Sequence, residues 1–370
     1  MREKQFNVWV FGDEHVGTDL RQGYESLAGA LRASEHGDPP IEWDLAIDVG
    51  DMSGGQNVPE DVEGEEIVRQ FSVLKKHSRE AVYSVCGNHD RSGLSEPSAW
   101  WWQKWIDPMG EHTKHSRVDP ARRPFPVEGT WERYSFRAGN ILFLMMSDIN
   151  EPTQKIGRGD LGGNPGGVVS GQTFKWWKAK VESNPNDIIV SVHHYMLKDT
   201  TVASGDWEGM EKDEDGNWCS GYHGYKPQGA PQGASYLYFV NSQPDSQAFE
   251  QYLSEHPGAV DIWLGGHTHA HPDALDGGKS HVETRWGTHF INAAALTRYH
   301  VNPLRPNPPK SRLLTFTEGS NEVRVQCYMH TNEFLPQGWY ESAERQLALD
   351  HAFRKDTSED NVEGTNAPDA

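Results

Sequence analysis

The chain has 370 residues, of which 35% are hydrophobic, enough to build a sizeable core, so a chain disordered throughout is excluded. Its 34 basic against 54 acidic residues leave a formal net charge of -20, which repels a phosphate backbone and disfavours an extended nucleic-acid groove. No apolar run approaches membrane-spanning length, the N-terminus has no apolar segment with a cleavage site, and Cys86, Cys219 and Cys327 make no paired framework, which together predict a reducing, cytoplasmic setting.

Residues 6–11 alternate and then run apolar, as a strand does, and stop at Gly12-Asp13-Glu14-His15. In extended backbone, positions two apart point to one face, so Asp13 and His15 converge while Glu14 points away. A turn with a charged tip fits the same residues. Apolar residues at helical spacing follow over residues 20–35. A second strand, residues 44–49, ends in Gly50-Asp51, and an acidic, glycine-rich loop leads to a helix near residues 65–77. The third strand, from Val82, delivers Gly87-Asn88-His89-Asp90: an amide, an imidazole and a carboxylate in succession. Gly-Asn is also an ordinary turn, and the other strand ends give it weight. Three apolar strands with polar C-terminal ends predict a parallel core whose site lies outside those ends.

Residues 91–126 are aromatic, basic and irregular, and read as a loop over the site. Trp100, Trp101, Trp102 and Trp105 suit either a satellite packing cluster or substrate stacking. Residues 131–136 and 141–147 form a hairpin, and residues 171–182 a helix with Phe174, Trp177 and Val181 on one face. The strand at 188–192 ends in His193-His194-Tyr195, and the strand at 260–264 ends in Gly266-His267-Thr268-His269-Ala270-His271. Strands near 288–295 and 311–329 are expected to close a second sheet. The expected organisation is α/β, a single domain over residues 1–350 with insertions at about 91–126 and 198–246, then an acidic tail at 351–370 with the composition of a disordered segment.

The strand ends supply Asp13, His15, Asp51, Asn88, His193, His267 and His269, a donor set suited to Mn, Fe, Co, Ni or Zn. Seven donors exceed what one ion takes while keeping a position open. Two divalent metal ions sharing a carboxylate, roughly 3.5–4 Å apart, use them all. In the order Asp13-Glu14-His15, Gly50-Asp51, Gly87-Asn88-His89-Asp90, His193 and Gly266-His267-Thr268-His269, the chain resembles the calcineurin-like metallophosphoesterases, over about residues 6–329.

That resemblance implies a four-layer α/β/β/α sandwich. It implies that Asp13, His15 and His269 hold one metal, that Asn88, His193 and His267 hold the other, and that Asp51 bridges them. His89 would stabilise the transition state or protonate the leaving group, oriented by Asp90, as a metal-bridging hydroxide attacks phosphorus. His193 fits the family's spacing from Val190, with His194 as the alternative. Arg91, His194 and His271 are candidate substrate contacts, and Arg122 and Arg123 the other basic residues available to a phosphate. Asp51-Met52-Ser53-Gly54 lacks the tyrosine of purple acid phosphatases, and Asp13-Glu14-His15 has the Asp-x-His form, which looks more like the phosphodiesterase branch. The expected function is hydrolysis of a small phosphorylated substrate, diesters ahead of monoesters. The alternative of another class is a non-catalytic scaffold that keeps the fold, and a nuclease is disfavoured by the charge.

Overall fold

Burial along the first strand divides by side: Phe6, Val8 and Val10 enter one apolar core, while Trp9 and Phe11 enter another. That is period-two backbone covered on both faces. In the computed structural model the elements run β1 (Gln5–Phe11), α1 (Val16–Arg21), α2 (Ser26–His36), β2 (Leu45–Asp48), α3 (Asp61–Phe71), β3 (Val82–Ser84) and α4 (Trp100–Trp105). The hairpin β4 (Arg133–Ala138) and β5 (Ile141–Met146) leads to α5 (Gly171–Glu182), β6 (Ile188–Val192), α6 (Gln247–Glu255), β7 (Ile262–Gly265), β8 (Thr288–Asn292), β9 (Lys310–Thr317) and β10 (Glu322–Met329). The structure describes residues 4–54, 58–91, 100–147, 167–205, 210–212, 218–220, 237–240, 243–244, 246–293, 295–298, 308–330 and 337–355. Most of the expected insertion at 198–246 and residues 356–370 of the expected tail lie outside them.

One sheet carries the order β10-β9-β1-β2-β3, and the other carries β8-β7-β6-β5-β4, each extended by short edge strands. β1, β2 and β3 are parallel, as are β5, β6, β7 and β8. Three cores define four layers. Val8, Ile47, Tyr83, Phe143, Val190, Leu264 and Phe316 fill the space between the sheets. Leu27, Leu31, Ile67 and Trp102 from α2, α3 and α4 cover the outer face of the first sheet. Trp177, Val181, Phe249 and Leu253 from α5 and α6 cover the second. The result is an α/β/β/α sandwich.

Four expectations change. The strands expected to close the second sheet divide: β8 joins it, but β9 and β10 join the first, with β9 antiparallel to β1. The helix expected at 20–35 is two, α1 and α2, because the chain turns at Gly23, φ 82°. The aromatic stretch contains a helix packed in the core: Trp101, Trp102 and Trp105 are buried, and the indole N–H groups of Trp101 and Trp105 donate to the Glu60 carbonyl and Asp61 Oδ1, each at 2.8 Å. The chain also stays packed past residue 350. Phe353 is buried and stacked on Phe6, and the Arg354 N–H donates to Asn140 Oδ1 at 2.7 Å. Among the described residues, no helix is long and apolar enough to cross a membrane.

Candidate metal centre

The C-terminal ends of β1, β2, β3, β6 and β7 are bonded to one another. The Asp13 N–H donates to the Gly50 carbonyl at 2.8 Å and the His15 N–H to the Asp51 carbonyl at 3.0 Å. The Asp51 N–H donates to Asp90 Oδ2 at 2.8 Å, and the His267 N–H to Asp13 Oδ2 at 2.9 Å. Two glycines allow this closeness. A Cβ on Gly87 would overlap the Asp51 carboxylate, and one on Gly266 would overlap that of Asp13. Side chains converge here by a route other than strand alternation. Asp13, His15, Asp51, His267 and His269 all have left-handed backbone, φ 53°, 46°, 65°, 71° and 47°. Each such non-glycine residue costs about 1 kcal/mol, which the surrounding bonds must hold in place.

The side chains form two sets of donors. In the first, His269 Nε2 lies 2.9 Å from Asp13 Oδ1 and 3.1 Å from His15 Nε2. In the second, His194 Nε2 lies 3.1 Å from Asp51 Oδ2 and 3.0 Å from Asn88 Oδ1, with His267 completing a possible metal group with Asp51 and His194. Asp51 Oδ2 is also 3.9 Å from His15 Nε2, so one carboxylate oxygen stands between the sets. His89 sits above it, its Nε2 3.9 Å from the same oxygen and its ring edge-on to His15 at 4.6 Å.

Six of the seven expected ligands are brought together, and the seventh is displaced by one residue. His194 Nδ1 donates to the Val49 carbonyl at 2.8 Å, which aims Nε2 at Asp51 and Asn88. His193 faces away, its Nδ1 accepting the Tyr195 N–H at 3.0 Å. The reason is parity. Ile188, Val190 and Val192 point into the core between the sheets, and His194 continues that row, whereas His193 continues the row of Ile189 on the helix side. That alternation was the available signal in the sequence.

Asp90 has a further role: its carboxylate accepts the N–H groups of Asp51 and Ser53 at 2.8 Å and of Gly87 at 2.9 Å, so it holds two loops together. His271 lies outside both sets, with Nδ1 accepting the Asp273 N–H at 3.2 Å and its carbonyl bonded to His281 Nε2 at 2.7 Å. Arg91 is buried beside Asp90. Arg123 is spent on the carbonyls of Glu80, Val82 and Pro108, and Arg122 lies 3.7 Å from Glu80. The sequence reading missed Tyr195, whose ring lies 4.3 Å from that of His267.

Electrostatics are those of a site built for cations. Burial alone would raise the Asp51 carboxyl, yet the imidazoles of His194 and His89 hold it well below the usual carboxylate range. Burial likewise opposes charge on His194, but Asp51 and Asp13 bring it up to about 10. His193 is pushed down to about 3, by burial first and then by the neighbouring His194. With His194 Nδ1–H committed to Val49, the convergence of Nε2, Asp51 Oδ2 and Asn88 Oδ1 requires a proton or a metal cation among three electron pairs. A cation that takes the proton's place uses the same donors, so these residues fit a divalent metal ion.

The family model for calcineurin-like phosphoesterase matches residues 6–271. A search of the curated proteins finds no match. Among solved structures, the chain is similar to vacuolar protein sorting 29 from Cryptosporidium parvum, at 13% identity and a TM-score of 0.33, over 93% of this chain and 98% of that one. It is similar at the same identity and TM-score to a single mutant of Vps29 from Entamoeba histolytica, over 90% of this chain and 98% of that one.

Proposed function

The chain belongs to the calcineurin-like phosphoesterase family, and from that premise we propose that it hydrolyses small phosphoesters with two divalent cations, phosphodiesters being the preferred class. The observation that carries the reading is the position of Asp51 Oδ2, 3.1 Å from His194 Nε2 and 3.9 Å from His15 Nε2. Asp13, His15 and His269 would hold one cation, Asn88, His194 and His267 the other, and Asp51 both. Bound there, the cations supply Lewis acidity, making water a nucleophile near neutral pH and offsetting phosphoryl charge.

The chain's own residues do the rest. Asp51 receives the His89 N–H on Oδ1 at 2.8 Å, which fixes the His89 backbone relative to the shared carboxylate. The His89 ring, above that carboxylate, is placed to donate to a phosphoryl oxygen or to return a proton to the departing alkoxide. Asp90 keeps the Asp51 and Asn88 loops in register. Tyr195 packs against His267 and limits its rotation. Diesters are favoured over monoesters because Arg123, which could clamp a dianion, is spent on the carbonyls of Glu80, Val82 and Pro108.

Retention of every donor weighs against a non-catalytic scaffold. A screen of the metal-reconstituted protein with matched aryl mono-, di- and triesters tests the reading. Diester turnover that needs added metal is the expected result. Protein that takes up no metal and hydrolyses none of the three would leave the scaffold.

A further inference from the structure

Beneath the loop that carries His267 and His269, the core between the sheets encloses a cation with no carboxylate paired to it among the described residues. Arg312 lies on β9 opposite Val10 of β1, on the same face as Leu314 and Phe316, and is fully buried. Its Nη1 and Nη2 have no hydrogen-bond partner, and its Nε makes one long bond, 3.4 Å, to the Asn292 carbonyl. Among the described residues no carboxylate pairs with it. Lys310, two residues earlier on the same face, is as deeply enclosed. A lysine can relieve such burial by shedding its proton, and Lys310 is pushed down to about 7, by burial first. Arginine keeps its charge, and a buried, unpaired charge is among the costliest things a fold can contain.

We propose that a monatomic anion, chloride in solution, binds against the Arg312 guanidinium in the core between the two sheets. Enclosure sets the size, since no solvent reaches the two terminal nitrogens, so a halide displaces less of the surrounding packing than a sulfate or phosphate. Placement gives it a consequence. Arg312 bonds to the Asn292 carbonyl, and the Asn292 side-chain N–H groups donate to the Gly266 carbonyl at 3.3 Å and to Thr268 Oγ1 at 2.8 Å. The anion is therefore coupled through one residue to the loop that presents His267 and His269. The site does not depend on the chain being a hydrolase.

Crystals of the full chain, metal-loaded and grown in sodium bromide, test the proposal at the bromine absorption edge. An anomalous peak in contact with Arg312 Nη1 or Nη2 is the expected result. A map without that peak, with the guanidinium bonded to protein or water, overturns it, as does tetrahedral density there in a sulfate-grown crystal. In solution, chloride is compared with gluconate at equal ionic strength after chelation of metals, which separates this site from the metal centre. Wild-type protein should melt about 2 °C or more higher in chloride, and Arg312→Met should lose that increment. Equal melting in the two salts counts against the anion, and Arg312→Gln, which also removes the charge, takes the place of Arg312→Met if the latter does not fold, with the same loss expected.

Discussion

The Nε2 of His194 and the Oδ2 of Asp51 lie 3.1 Å apart, and the other ring nitrogen of His194 is occupied by the Val49 carbonyl at 2.8 Å. One imidazole thus has a fixed tautomer and a single direction in which to offer its electron pair. His193, its neighbour, has its Nδ1 bonded to the Tyr195 N–H and faces the helices. Replacing His194 by Ala should halve the metal content of reconstituted protein and lower diester turnover by about 100-fold or more. His193→Ala should keep both metals and lose stability instead. Metal analysis beside thermal unfolding separates the two, and metal loss only in the His193 variant would reverse the assignment.

Asp90 offers a second test, because two roles for it predict different losses. The carboxylate accepts three enclosed backbone N–H groups, from Asp51, Ser53 and Gly87. Asp90→Ala leaves all three without an acceptor, which should cost about 3 kcal/mol or more of stability and weaken metal binding with it. A carboxylate that only oriented His89 would, on removal, lower kcat at an unchanged Tm. Denaturant unfolding and metal titration of the variant decide between them.

These two residues also mark how far the sequence could be read. The strand-end motifs were legible because apolar runs that stop at Gly-Asp or Gly-His are short-range patterns, and a parallel sheet gathers its strand ends by construction. Asp90 was not, because two of its three partners lie in a loop 39 and 37 residues away and all are backbone N–H groups that leave no trace in composition. The convergence of Asp13 with His15 was expected for a reason the structure replaces, since left-handed backbone at both positions aims them. The tryptophans of α4 were ambiguous because three consecutive indoles obey no helical stripe. The burial of Trp105 at the end of the same helix depends on Gly64 of α3, whose missing side chain makes room for its ring. The division of the late strands between sheets was invisible because β9 pairs with β1 across more than 290 residues, as in Gln5 with Thr317.

His89 belongs to a possible metal group with His15 and Asp51, and it also stands where an acid would. The acid role follows from the donor sets, since each has its ligands without His89; distance does not decide it, because the Nε2 atoms of His89 and His15 both lie 3.9 Å from Asp51 Oδ2. His89→Ala should therefore retain its metals and lose about 10²–10⁴-fold in kcat. The loss should shrink for aryl leaving groups of low pKa, which depart without a proton. A variant that loses metal in proportion to activity would make His89 a ligand.

Glu35 gives a pH-dependent prediction well away from the centre. It is 2% exposed at the end of α2, where its Oε2 accepts the Lys75 N–H at 2.7 Å and its Oε1 those of Lys76 and His77 at 2.9 Å. The third helix ends at Phe71, short of the His77 expected from the sequence: the N–H groups of Ser72, Val73 and Leu74 turn to carbonyls three residues back, and Glu35 takes those of residues 75–77. Burial would raise the Glu35 carboxyl, but the N–H groups of His77 and Lys75 outweigh it and hold the group below its ordinary value. A carboxyl depressed in the folded state adds stability above its unfolded pKa, near about 4.3, and loses it as pH falls through the folded value. Glu35→Gln should thus cost about 1–3 kcal/mol at neutral pH, and the gap to wild type should narrow below about pH 4. Urea unfolding of both proteins across that range checks it, and a gap that stays constant with pH would mean that the amide loses packing and not charge.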